Sequence, residues 1–381
     1  VIDPTRLRGR PVRVLGAVAA VLLVAYLFAL PQLPGVEKSQ LLTLTLMFTT
    51  IAVGISWNLT GGFTGYVDFG HAVWFGIGAY GTAILMSQQS GMFPQEAPLV
   101  PSILIGAVLS ALIANLVGRM TMRLTGPYFS IAMLGFFVFM REVVRVARPL
   151  TNGGTGLTLP PSLNRPLWYY VELVMVLALL AFSWWLRRTR FGAGLIAIRE
   201  DEIGAEMRGI DTTRSKVLIF TFSAFFTGLF GGMWAYQNTF VDADIAFVEV
   251  RTIDAVMSTM LGGVGTVLGP VLGGTVLYWL REILWARFLD FHLIAQGLLL
   301  GAIVLYLPRG LIGLLRADSP LIKRLRGRGD EDEQRSAFDD ADIREGGSVA
   351  ADPVADPVVD PVVDPVVDPV ADPVVDPGAA R

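Results

Sequence analysis

The sequence predicts an all-α, polytopic helical membrane protein with about eight to ten transmembrane segments, Gly-broken helices and a disordered C-terminal tail. Three observations predict it. Of 381 residues, 53% are hydrophobic and 17% charged, whereas soluble domains carry about 25% charged residues. Apolar runs of roughly 20 residues, long enough to cross about 30 Å of hydrocarbon, recur along the chain. The segments of about ten residues with alternating hydrophobicity that mark a β-barrel do not occur.

The elements follow in order. Residues 1–13 are a basic segment, with Arg6, Arg8, Arg10 and Arg13 ahead of the apolar run Val14–Leu30. That run is long for a signal peptide and no small-residue cleavage site follows it in ALPQLPG, so a retained first helix is expected. The positive-inside rule then places the N-terminus in the cytoplasm. Further spans are expected at Leu41–Leu59, Phe63–Met86, Val100–Val117, Tyr128–Val146, Leu167–Leu186, Val217–Tyr236, Asp254–Leu280 and Leu293–Leu315. Alternation puts the Arg119–Arg123 connection and the charged block 187–216 inside, and the basic residues of both agree. Arg141, Arg145 and Arg148 then fall near the outer face, against the rule, unless they face protein or water. Residues 14–316 read as one transmembrane domain and 317–381 as a cytoplasmic tail. From Asp352 the tail repeats Asp-Pro-Val-Val/Ala. Proline at every fourth position forbids a helix, and repelling Asp favours an extended, disordered strand.

Several classes of function are excluded or unsupported. There are no cysteines and only two histidines, His71 and His292, so disulfides, thiol chemistry and a His-rich metal site drop out. GxxxxGK[ST] is absent, so the chain does not hydrolyse ATP by that route. No Ser/His/Asp arrangement, zinc spacing or carboxylate pair suggests catalysis, and no catalytic or metal-binding residue is assigned. Nothing points to nucleic acid.

The informative stretch is RRTRFGAGLIAIREDEIGAEMRGIDTTRSK, residues 187–216. Ala193–Arg208 lacks proline and is rich in helix formers. Leu195, Ile198 and Ala205 share one helical face, Arg199, Glu200, Asp201, Glu202, Glu206 and Arg208 supply charge, and Gly209 is placed to end the helix. Such an amphipathic helix fits a groove on a cytoplasmic partner; an ordinary solvated loop is the other reading. Gly61–Gly81 carries Asp68, Gly70 and His71, with glycines that permit close helix approach. Ionisable residues in a span suggest function, though Asp68 also suits a helix cap and His71 a packed, hydrogen-bonded position. TNGGTGLT, with Asn152, Gly153 and Gly156, suits a turn with positive φ. GGVGTVLGPVLGG, with Gly262, Gly263, Gly265, Gly269 and Pro270, should interrupt a helix. Such breaks line cavities in many transporters, or permit tight packing between helices. Two short segments joined there bring the C-terminus back to the cytoplasm.

Read together, these stretches resemble the permeases of branched-chain amino acid ABC importers, in particular the LivM-like member of the permease pair. GYVDFGHAVWFGIGAY, TGPYFSIAMLGF, TNGGTGL, RFGAGLIAIREDEIGAEMRGID and LGGVGTVLGPVLGG resemble the family's motifs in the family's order, over about residues 40–315. Asp68 departs from the pattern, standing where Ser or another small residue is usual. The resemblance implies a permease without an ATPase site of its own, in the plasma membrane, moving branched-chain or other amino acids inward. It implies four kinds of partner: a second homologous permease, two cytoplasmic ATP-binding subunits that hold ATP and Mg, an extracytoplasmic solute-binding protein, and the lipid bilayer. This chain itself would bind no cofactor. Arg199, Glu200, Glu202, Ala205 and Gly209 match the family's coupling segment. Competing readings are an ion-driven secondary transporter using Asp68, Glu172 and Asp254, and a permease or channel for urea or a small amide.

Overall fold

The computed structural model describes residues 18–87 except 20, 98–161, 164–287 and 310–315, with 294, 297, 298 and 301 as single positions. The expectations placed on residues 1–13, on most of Leu293–Leu315, on His292 and on the tail 317–381 lie outside the described residues.

The described residues are helical almost throughout. In order come α1 (Val21–Gln32), α2 (Lys38–Trp57), α3 (Ala72–Met86), α4 (Leu99–Thr121), α5 (Pro127–Val146), α6 (Arg148–Thr151), strand β1 (Leu157–Thr158), α7 (Arg165–Arg188), α8 (Arg190–Glu200) and α9 (Glu202–Met207). Then follow α10 (Thr212–Asn238), strand β2 (Phe240–Val241), α11 (Ala243–Ala246), α12 (Glu249–Gly262), α13 (Gly269–Arg287) and α14 (Gly310–Leu315). Among the described residues, four helices are long and apolar enough to cross a membrane: Lys38–Gly62, which is α2 with its π-helical continuation Asn58–Gly62, together with α4, α7 and α10.

Two expected spans differ in detail. Phe63–Met86 is not one helix: Phe63 and Thr64 end the preceding helix and α3 begins at Ala72, because Gly65 takes a φ of +78° and the Asp68 carboxylate accepts the Gly70 N–H at 2.9 Å, turning the chain between them. Asp254–Leu280 is two helices, α12 and α13, separated where Gly263 and Gly265 adopt φ of +126° and +72°, a region open mainly to glycine. The predicted interruption is therefore present.

α10 is the central helix. Within lipid, apolar helices gain little from burying apolar surface, so close contact between small residues and interhelical hydrogen bonds hold them together. Gly78 of α3 lies directly against the Gly228 backbone of α10, and Gly81 of α3 against Gly106 of α4. A Cβ at Gly81 would approach Gly106 Cα to 2.8 Å. Asn115 of α4 donates to Thr221 of α10 at 3.2 Å, and Ser223 of α10 donates to the Ser56 carbonyl of α2 at 2.6 Å. On its other side α2 packs on α7, with Phe48 and Tyr169 rings 5.4 Å apart. By contrast Leu104, Ile105, Val108, Leu112 and Leu116 of α4 point outward.

The two ends of the body are built differently. α10 alone, at about 1.5 Å per residue, spans about 40 Å from its start beside α9 to β2. At the β2 end, β1 and β2 pair antiparallel, Leu157 with Val241 and Thr158 with Phe240. There Arg141 bonds Glu249 at 2.9 Å, and Arg145 bonds Glu142 at 2.9 Å and also Asp244. Two of the three arginines that alternation set near the outer face, Arg141 and Arg145, are thus paired with carboxylates of their own helix and of α11 and α12.

Candidate functional site

Within the block 187–216, the stretch Ala193–Arg208 lies in two helices rather than the single helix expected. Asp201 is extended (φ −157°, ψ 104°) and separates α8 from α9. The Asp201 N–H closes α8 on the Ala197 carbonyl, while its own carbonyl accepts from Ala205 N at 3.0 Å. A Cβ at residue 204 would meet the Asp201 carboxylate, so Gly204 makes room for the break. Gly209 ends α9 at φ +82°. Its N–H bonds the Glu206 carbonyl at 2.9 Å and the Ile210 N–H bonds Ala205 O at 3.2 Å, the paired bonds of a Schellman stop. Leu195, Ile198 and Ala205 are all buried, as their shared face predicted, whereas Ile203 and Met207 are 72% and 86% exposed. Glu200 ends α8 on the exposed side.

Two side chains of this block reach into the membrane body. Arg199 donates from Nη1 to the Gly62 carbonyl at 2.8 Å, and its stem lies where a Cβ on Gly65 would stand 3.3 Å away. Its guanidinium also packs on Gly265, where no side chain would fit. Glu202 accepts from the Tyr66 hydroxyl at 2.5 Å and from the Lys216 ammonium. Lys216, at the foot of α10, is only 2% exposed. It also donates to Tyr66 Oη at 2.9 Å and sits over that ring at 4.2 Å. Burial alone would push the Glu202 carboxyl up, but the bonds from Lys216 and Tyr66 hold it below the usual carboxylate range. Burial, then the bond to Glu202, pushes the Tyr66 phenol above its ordinary value.

The helix breaks meet at this same place. Asn58, fully buried in the π-helical turn, accepts from Gly265 N and donates to Thr266 O, each at 2.9 Å. Gly262 packs on Gly269 so closely that a Cβ has no space, and Pro270 follows at the start of α13 beside Gly54. Arg199, Asn58, Gly62 and Gly265 therefore form one seam joining α8, α2 and the loop between α12 and α13.

The remaining predicted residues lie elsewhere. The Asp68 carboxylate is buried and accepts from Gly70 N, from His71 Nδ1 at 3.2 Å and from Trp74 Nε1 at 3.2 Å. His71 Nε2 lies 2.9 Å from Thr227 Oγ1 of α10. Gly70 lets the Met133 carbonyl of α5 approach. This network ties α3 to α5 and α10. Asn152, Gly153 and Gly156, all at positive φ, form the loop between α6 and β1 at the β2 end. There Asn152 Nδ2 donates to Gly156 O at 3.0 Å. The structure thus brings Arg199, Glu202, Gly262, Gly263, Gly265 and Gly269 together and leaves the 152–156 loop apart. Sequence reasoning passed over Asn58, Tyr66 and Lys216. The available signals were an Asn inside an apolar run and a lone lysine at the foot of a span.

A family model described as branched-chain amino acid transport system / permease component matches residues 39–307. The permease protein LivM of Salmonella typhimurium, a high-affinity branched-chain amino acid transport protein, is 26% identical over 306 residues, which cover 72% of this chain and 69% of the relative. LivH of Escherichia coli, from the same kind of system, is 24% identical over 292 residues, 71% of this chain and 92% of the relative. A shorter match, 32% over 139 residues, reaches the autoinducer 2 import system permease LsrC of Photorhabdus luminescens, covering 34% of this chain and 42% of that one. No solved structure matches. With a family match over more than half its length and several helices able to span a bilayer, the chain is a multi-pass membrane protein that belongs to the branched-chain amino acid transport system permease family.

Proposed function

We propose that this chain is one permease subunit of an ATP-driven importer of branched-chain or other amino acids, and that α8 and α9 receive the movement of a cytoplasmic ATP-binding subunit. The observation that carries the coupling role is the double anchorage of the block. Arg199 holds the carbonyl of Gly62, and Glu202 holds Tyr66 and Lys216. A push on α8 and α9 is thereby passed to the foot of α10 and to both helix breaks. Ile203 and Met207, exposed on the outer face of α9, offer the apolar contacts that an amphipathic helix gives to a groove. The complex has a second homologous permease, two ATP-binding subunits that hold ATP and Mg, and an extracytoplasmic solute-binding protein; this chain binds no cofactor. Both termini lie in the cytoplasm.

Ala205→Pro tests the proposal. It removes the Ala205 N–H bond to Asp201 and crowds the first turn of α9. The variant should reach the membrane in normal amount yet lose ATP-driven uptake and fail to retain Walker-motif ATPases on pull-down from detergent-solubilised membrane. Normal uptake by the variant refutes the coupling role. Uptake that stops when the membrane potential is collapsed while ATP persists would favour a secondary transporter.

A further inference from the structure

A cavity of about 480 Å³ lies between α2, α10, α12 and α13, toward the β2 end of the body. Its volume suits a small-molecule ligand. Leu46 and Val53 of α2 give it an apolar wall, and Arg251, Asp254, Arg281 and Glu282 bring charge to it. The Arg251 guanidinium packs in the corner of two adjacent rings, 4.0 Å from the Phe75 centroid and 4.4 Å from that of Trp234. These contacts help to position it. Its Nε is buried without a hydrogen-bond partner, which is costly for a charged donor unless something completes it. Asp254 stands one helical turn further along the same face and pairs with Arg281.

We infer that this cavity is the membrane-depth binding site for a zwitterionic α-amino acid with an apolar side chain. Arg251 receives the carboxylate, Asp254 shares the ammonium with its neighbours, and the α2 wall takes the side chain. The two arginines and two carboxylates sum to zero, so a ligand that is itself neutral but charge-separated keeps the site balanced. A net anion or cation leaves an uncompensated charge in a weakly screened place. A guanidinium already positioned by ring contacts loses less freedom on meeting a carboxylate. The inference rests on the importer reading for its solute class.

The test uses the whole importer in native membranes, with photo-leucine, a zwitterionic diazirine analogue, supplied during ATP-driven uptake. Labelled peptides are then mapped by mass spectrometry. The expected result is label within residues 46–53, 248–255 or 278–282, competed by L-leucine and not by L-glutamate or L-lysine. Arg251→Gln and Asp254→Asn should each lower that label about tenfold, the scale of one lost charge-assisted hydrogen bond. Label elsewhere in the chain, or equal labelling in both variants, overturns the site. Uptake of photo-leucine without cavity label overturns the site and leaves the importer reading standing. Cavity label without ATP-dependent uptake supports the site and overturns the importer reading. Loss of both overturns both. The map in the unmodified chain decides the matter even where a variant fails to assemble.

Discussion

Replacing Glu202 by Gln removes one negative charge from beneath α10 and changes little else in shape. Its consequence is set by Lys216. That ammonium is 2% exposed, and its charged partner is the Glu202 carboxylate, with Tyr66 Oη at 2.9 Å and the Tyr66 ring at 4.2 Å supplying only dipoles. Breaking a fully buried ion pair costs about 3–5 kcal/mol, because the surviving charge stays desolvated and unpaired. The Glu202 side chain keeps 28% of its exposure, so water reaches one side of the pair, and the loss should fall to about 1–3 kcal/mol. Lys216→Met removes the buried cation itself and leaves a carboxylate that water already touches, so its cost should be smaller. In the double variant no unpaired cation remains, and it should be less destabilised than the sum of the two single changes, by about 1–2 kcal/mol. The assay is the thermal midpoint of the detergent-solubilised chain, read alongside ATP-driven uptake. Both single variants should lower the midpoint and the double should recover part of the loss. Strict additivity, or a Glu202→Gln midpoint equal to that of the unmodified chain, would refute the account of the clasp.

The same clasp has a predicted pH profile. Glu202 is held below its ordinary carboxylate value of 4.5 when folded, so its contribution is present above that value and is lost as pH falls from there through the folded value. Tyr66 is raised above its ordinary 10.0, so the neutral phenol's contribution is present below that value and is lost as pH rises beyond it. Between these limits the clasp itself should contribute no pH dependence, and Glu202→Gln should flatten the acid limb. Asn58→Ala would leave Gly265 N–H and Thr266 O without their 2.9 Å partners, at a cost of about 2–4 kcal/mol. Limited proteolysis should then cut in residues 263–268 sooner than in the unmodified chain, and equal protection there would count against the seam.

The parts of the site that were legible in the sequence are those specified by short range. Gly209 ends α9 because a left-handed residue is needed there, and Gly263 and Gly265 separate α12 from α13 for the same reason. The buried face of Leu195, Ile198 and Ala205 followed from helical spacing. The split at Asp201 was not legible, since the same residues satisfy a continuous helix, and the bond between its carbonyl and Ala205 appears only once the turn has formed. The pairing of Arg141 with Glu249 and of Arg145 with Asp244, about a hundred residues further on, was not legible either.

The sequence by itself determined that the chain is a helical multi-pass membrane protein and that α12 and α13 are separated at the glycine-rich stretch. These depend on apolar run length and on the φ that glycine permits. Tertiary structure decided the rest. α4 and α10 are both apolar around most of their circumference, yet α10 is central and α4 turns a broad face outward. In lipid an apolar face does not distinguish the interior from the surroundings, so the hydrophobic periodicity that marks the buried side of a soluble helix is weak. The pairs that carry the seam, Asn58 with Gly265 and Thr266, Arg199 with Gly62, and Lys216 with Tyr66, join residues more than a hundred positions apart. They exist because small residues let the helices approach until few donors and acceptors remained in reach of one another.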